Sequence, residues 1–224
     1  MPIRPPTHRA RGLARREALL RAAFTVVTEK GVEGATHRRI AEAAGVPLST
    51  TSYFFGSLDE LLAEAITLAF ADVMANTNAA IHAMGQANPS TAELVEQITD
   101  FVLQSPRAGI IAQFEAYLAV ERRPELAAAI ANVLASYEHA IGTALRLFDI
   151  DPAPHRVRLV LATVDGFALQ RIAHPRPDDR ETLRAALHEL LLSFDVTAQA
   201  ARSGGSTRRE QVSGRDPGSP RRVE

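Results

Sequence analysis

The stretch Thr36–Leu62 reads THRRIAEAAGVPLSTTSYFFGSLDELL, and its punctuation decides the fold. Thr36 is an N-cap residue whose hydroxyl can satisfy a free N–H of the first helical turn. It opens a short helix over about 36–43, with Ile40 and Ala41 facing inward. Gly45 breaks that helix, because positive φ costs glycine little. A second short helix fits 47–53, with Pro47 in its first turn, where a missing N–H is harmless. Ser57 then caps a long helix, and Glu60 three residues on completes a capping-box pattern. Two short helices about a glycine turn form a helix-turn-helix. Ile40 and Ala41 supply the inward aliphatic and the small crossing residue, and Val46 pins the turn to the core. The second helix presents Ser49, Thr50, Thr51 and Ser52, small enough for a major groove about 12 Å wide. Arg38 and Arg39 lie on the first helix, which crosses the phosphate backbone in this geometry. A plain αα-hairpin has the same outline, so the spacing alone is not specific.

Outward from this stretch the chain stays helical. Upstream, Leu20, Ala23, Phe24 and Val27 fall at helical spacing within about 14–30, and Gly31 is a C-terminal stop. Residues 1–13 hold three prolines and a glycine and read as a mobile basic arm. Downstream, the helix from Leu58 fades near Met84–Gly85, and Pro89 restarts the chain. Helical stripes follow over about 90–104, 107–121, 124–148, 154–174 and 179–201. No segment alternates with β-branched enrichment, so no strand is expected. Residues 202–224 are rich in Arg, Gly, Ser and Pro and are expected to be disordered. The reading is an all-α protein of roughly nine helices, three of them short. A helix-turn-helix head over 14–56 carries a larger helical body over 57–201.

Charge divides along the same line. Residues 1–56 hold nine Lys/Arg against four Asp/Glu, whereas 57–201 hold ten against nineteen. A basic head on an acidic body suggests that the head meets a polyanion. With no cysteine in 224 residues, disulfides, thiolate metal sites and Cys nucleophiles are excluded. The seven histidines are dispersed without metal-ligand spacing, and no nucleophile elbow, P-loop or dinucleotide fingerprint is present. No enzyme, metal or cofactor is therefore expected. The longest stretch without charge, Val73–Ala92, is too polar for a bilayer, and no apolar run follows the basic N-terminus. The expectation is a cytoplasmic protein with no membrane partner.

The stretch closely resembles the DNA-binding domain of the TetR family of transcriptional regulators. The residues that carry the resemblance are Thr36, Ile40–Ala41 and Ala44–Gly45–Val46, then Phe54–Phe55, then Ser57–Leu58–Asp59–Glu60–Leu61–Leu62. It covers about 50 residues in detail, from Ala14 to Leu62, and the rest of the chain only as architecture. The resemblance implies a homodimeric, ligand-responsive regulator of a double-stranded DNA operator, read as a repressor, with activation the alternative that operator placement would decide. Residues implied to face the groove are Pro47, Leu48, Ser49, Thr50, Thr51 and Tyr53, while Thr36, Arg38, Arg39 and Tyr53 grip phosphates. Two positions depart from the family: Ser52 stands where many members have a phosphate-contacting tyrosine, and Leu58 where many have a lysine. Arg9, Arg11, Arg15 and Arg16 are candidates to compensate, and Phe54 and Phe55 are assigned to the core.

The resemblance further implies dimerisation through the last two helices and a small-molecule pocket among the middle ones. Met74, His82, Phe101, Gln113, Phe114, Tyr117 and Tyr137 are the candidate lining residues. Sparse charge on those helices points to an apolar or aromatic effector. Mid-helix Gly166 fits a close helix–helix approach, either within one subunit or between two. The competing reading is a helical ligand-binding or interaction protein whose head no longer binds DNA, to which the changes at Ser52 and Leu58 lend weight.

Overall fold

The computed structural model describes the backbone of residues 8–87 and 90–210 and the side chains of 10–86 and 90–194. Every regular element among them is helical. The order is α1 (His8–Gly34), α2 (His37–Ala44), α3 (Ser49–Phe54), α4 (Leu58–Ala87), α5 (Thr91–Gln104), α6 (Arg107–Ala119), a 3-10 turn (Pro124–Leu126), α7 (Ala127–Leu147), α8 (Pro154–Ala173) and α9 (Asp179–Glu210).

The punctuation of the head acts as its chemistry dictates. Gly31 leaves the helical region (φ 73°, ψ 169°), so the regular part of α1 stops after Lys30. The Thr36 hydroxyl accepts from the Arg39 N–H at 3.3 Å and caps α2. Gly45 is left-handed (φ 65°, ψ 33°), and its N–H and that of Val46 close the helix onto the Glu42 and Ala41 carbonyls. The Ser57 hydroxyl accepts from the Glu60 N–H at 3.0 Å. The Glu60 carboxylate reaches one residue further back than in a capping box, to the Gly56 N–H at 2.6 Å.

Three boundaries differ from the sequence reading. α1 begins at His8, inside the stretch read as an arm, and is long rather than short. The Ala, Leu and Arg of residues 9–16 are strong helix formers, and they form a helix there without an apolar stripe. α3 begins at Ser49, and Pro47 lies just ahead of it, its carbonyl taking the Thr50 N–H at 2.9 Å. α9 extends to Glu210, into the stretch expected to be disordered; a helix already nucleated adds one hydrogen bond per residue fixed. Residues 1–7 of the expected arm and 211–224 of the expected tail lie outside the described residues.

Two large apolar cores and a bridging cluster hold the helices. The head core centres on Leu19, Ala23, Val27, Ile40, Phe55 and Leu61, and it takes in Ala112 and Ala119 of α6 and Leu126. The body core centres on Leu94, Leu145, Val160, Leu183, Leu187 and Leu191. Each fully buried leucine contributes about 1.5–3 kcal/mol. Between them, Ile66 and Phe70 of α4 meet Ala116 of α6 and Ile130 and Val133 of α7, with Tyr117 and Tyr137 packed against the group. Head and body therefore share α4 and α6 rather than meeting at a linker.

Candidate DNA-reading face and effector site

α3 is six residues long and stands on the head core through one side only. Thr51 is that side: it is fully buried, and its hydroxyl donates to the Leu48 carbonyl at 2.8 Å. Its assignment to the groove is therefore corrected, because a helix of under two turns places only some of its hydroxyls outward. Pro47, Leu48, Ser49, Ser52 and Tyr53 are exposed and Thr50 is half-buried. Tyr53 is 81% exposed, its ring braced edge-on against Phe54 at 4.9 Å between centroids. Phe55 is buried and Phe54 half-buried, as expected of core aromatics.

The basic residues around this face differ in freedom. Arg38 is exposed, and its Nε donates to Glu42 at 2.9 Å, a pair that solvent screens. Arg39 is also exposed but turns its Nη1 to the Gly34 carbonyl at 2.6 Å, tying α2 to the end of α1. Thr36 is exposed with its hydroxyl occupied as the α2 cap. Arg16 pairs with Glu64 and lies over the Phe55 ring, so it serves the junction with α4. Arg11 and Arg15 are exposed, and the side chain of Arg9 lies outside the described residues. Leu58 packs against the head core, where a lysine would have pointed to phosphate.

The body holds the second constellation. The Gln113 amide on α6 donates to the Tyr117 hydroxyl at 3.0 Å and to the Asp165 carboxylate on α8 at 3.3 Å. Its carbonyl accepts from the Tyr137 hydroxyl on α7 at 3.5 Å. Phe114 and Phe70 set their edges against Tyr117 and Tyr137, each pair 5.9 Å between centroids. Burial pushes the Asp165 carboxyl above its ordinary value, partly offset by the Gln113 amide. Burial raises both tyrosines as well, with the Asp165 charge adding to it, so their hydroxyls stay protonated.

Four of the seven candidate lining residues thus converge: Gln113, Phe114, Tyr117 and Tyr137. The other three do not join them. Met74 is buried on α4 outside the cluster that holds the tyrosines, and Phe101 is exposed on α5. His82 lines a separate cleft of about 430 Å³ between α4 and α7, with Asn78, His139 and Thr143. Asp165 was missed. Its signal was its register: it lies four residues after Leu161 and three before Ala168, on the apolar stripe of α8.

A head that offers a short polar helix to solvent, joined through α4 and α6 to a helical body with a polar aromatic interior, has the build of a ligand-sensing DNA-binding regulator. The model of bacterial regulatory proteins of the tetR family matches residues 19–65, and that of the tetracyclin repressor-like C-terminal domain matches residues 89–193. The chain is 43% identical over 54 residues to the HTH-type transcriptional regulator PksA of Bacillus subtilis (strain 168), a match to 24% of this chain and 26% of that protein. The HTH-type nicotine-responsive transcriptional repressor HdnoR of Paenarthrobacter nicotinovorans is 27% identical over 72% of this chain and 85% of its own. The crystal structure of the multidrug binding protein EbrR in complex with imidazole superposes with a TM-score of 0.63 and 33% identity, over 79% of this chain and 94% of that one. The chain belongs to the TetR family. It is a ligand-responsive, DNA-binding transcriptional repressor by class, and the reading as a helical protein with a disabled head is not favoured. No described helix is long and apolar enough to cross a membrane.

Proposed function

We propose that this repressor acts as a cytoplasmic homodimer that an aromatic cation removes from its operator. The division of labour follows the sequence reading: residues 14–56 bind DNA, and 57–201 sense and dimerise. Pro47, Leu48, Ser49, Thr50 and Tyr53 meet the groove, and Arg38 and Tyr53 meet phosphate, at half-sites about 34–36 Å apart. Dimerisation is supported by α8, where Leu159 and Leu169 are 47% and 48% exposed and flank Gly166. A Cβ at Gly166 would meet nothing within 4 Å among the described residues, so no described neighbouring helix fills that space. A second copy related by a twofold axis fits such a stripe.

The observation that carries the effector class is Asp165, a half-buried carboxylate that accepts from the Gln113 amide and forms no ion pair with any described cation. An inward charge without a partner is costly unless a partner arrives. Flat rings that stack on Phe114, Tyr117 and Tyr137 and bring a positive charge complete the site. EbrR has been crystallised with ethidium, proflavin and malachite green, and those dyes guide the choice of probes.

Ethidium should bind the purified protein with a fluorescence change, and phenanthridine, the uncharged parent ring, at least about tenfold more weakly. Asp165→Asn should abolish that preference. Equal affinities for the two rings in the wild type would reject the cation. A gel shift of the DNA upstream of the gene, lost at rising salt, tests the operator half, and a strictly monomeric species in sedimentation would reject the dimer.

A further inference from the structure

α6 stands between the polar cluster and the head, and its two faces touch both. Gln113 and Tyr117, one turn apart, share the face toward Asp165 and Tyr137. Glu115 lies two residues from each, about 200° round the helix. Its carboxylate meets the head, accepting from the Val32 N–H at 3.2 Å. That contact falls on the break in α1. Gly31 there holds φ 73° and ψ 169°, a conformation close to glycine's alone. A Cβ on Gly31 would sit 2.5 Å from the same Glu115 oxygen. The backbone of the head and a carboxylate of the body therefore approach at a point where any other residue would keep them apart. Ala112 and Ala119, on the same helix, lie within the head core and hold α6 close to α1.

We infer that Glu115 is a positioning residue that transmits effector occupancy from the body to the recognition helix; the inference rests on the effector site proposed above. A ring entering among Gln113, Tyr117 and Asp165 displaces α6. The carboxylate on its far face then draws on the Val32 amide, beside the one position in α1 where the backbone already departs from the helix. Hinges are a few residues able to absorb a change in φ and ψ, and Gly31 is such a residue. α2 and α3 lie immediately beyond it. The Arg122–Glu33 pair also joins the end of α6 to the head, at 3.3 Å. It is largely exposed and screened, and so a weak lever.

The test is the effector's effect on operator affinity, measured by anisotropy with malachite green, an aromatic cation that does not intercalate. In the wild type, saturating dye should weaken operator binding by about tenfold or more. In Glu115→Ala, operator binding without dye and dye binding itself should stay within about threefold, while dye-induced weakening should fall to less than about twofold. Glu115→Gln, which keeps an oxygen acceptor for Val32, should restore it. A purely structural role would lower the melting temperature and leave the ratio alone. An unchanged ratio in Glu115→Ala overturns the inference. If the alanine variant does not fold, Glu115→Met, which keeps the stem and removes the acceptor, takes its place. If malachite green does not bind the wild type, the effector class is wrong, and transmission is then judged without it. Gln113→Phe places a ring in the cluster from α6 itself. It should weaken operator binding in the wild-type background and not in Glu115→Ala; equal weakening in both overturns the inference.

Discussion

Thr51 in the head and Asp165 in the body are both polar side chains turned inward from a helix, and the two regions treat them oppositely. Thr51 is sealed and satisfied: its hydroxyl donates to Leu48 one turn back, and α3 needs nothing from outside. Asp165 accepts one amide at 3.3 Å, and no described cation forms an ion pair with it. The head is finished before it meets its partner and offers a fixed surface. The body is left with an unbalanced interior, which a partner of opposite charge would balance. A buried polar residue is therefore informative through what it still lacks.

The largest effect that could break this contrast lies at Thr51. Thr51→Val keeps the shape and removes the hydroxyl. The Leu48 carbonyl retains the Thr51 N–H at 3.1 Å, so the cost should be near 1 kcal/mol in thermal unfolding. Operator preference in a random-site selection should not change, whereas Thr50→Val should alter it. A new preferred sequence for Thr51→Val would return that residue to the groove and undo the distinction.

A smaller effect sharpens the head's side. Arg38 is held by Glu42 at 2.9 Å on a fully hydrated surface, and reaching a phosphate means leaving that partner. Arg38→Ala should weaken binding to all sequences and lower the slope of log affinity against log salt by about 1. Glu42→Ala should strengthen binding, because it frees the guanidinium. If neither slope moves, Arg38 stays with Glu42 and the phosphate contact belongs elsewhere, with exposed Arg11 and Arg15 the nearest alternatives on α1.

What could be read in advance follows from how locally each feature is encoded. The caps at Thr36 and Ser57 and the turn at Gly45 depend on residues within four positions, and they stand where their chemistry put them. The inward turn of Thr51 is not legible in the sequence, because six helical residues give too little periodicity to say which of four adjacent hydroxyls points inward. The place of Asp165 is faint in the sequence because a single carboxylate in a helix usually faces water; only its register against Leu161 and Ala168 points inward. The Glu115–Val32 contact joins residues 83 positions apart, and no local pattern encodes it. Residue type alone points to His82, Phe101 and Met74, and they do not join the cluster.

The smallest effect tests whether the body's imbalance costs the fold anything. Desolvation raises the Asp165 carboxyl above its ordinary value of 3.8, so folding favours the protonated form. The linkage has a definite sign. Below the unfolded value the carboxyl is neutral in both states and its burial is free; as pH rises through the folded value, the ionised group must be held half-dry, and stability falls. Asp165→Asn removes that charge at every pH. The variant should melt slightly above the wild type at pH 7.5, with the gain shrinking as the pH is lowered and vanishing below about 3.8. Because Asp165 keeps partial access to water, the gain should be small. It should also reverse when saturating ethidium is added, since the ligand binds, and so stabilises, the protein that still carries the carboxylate more strongly than the variant. A variant that melts lower than the wild type at pH 7.5 would mean that the charge is already balanced within the chain, and the contrast between the two regions would disappear.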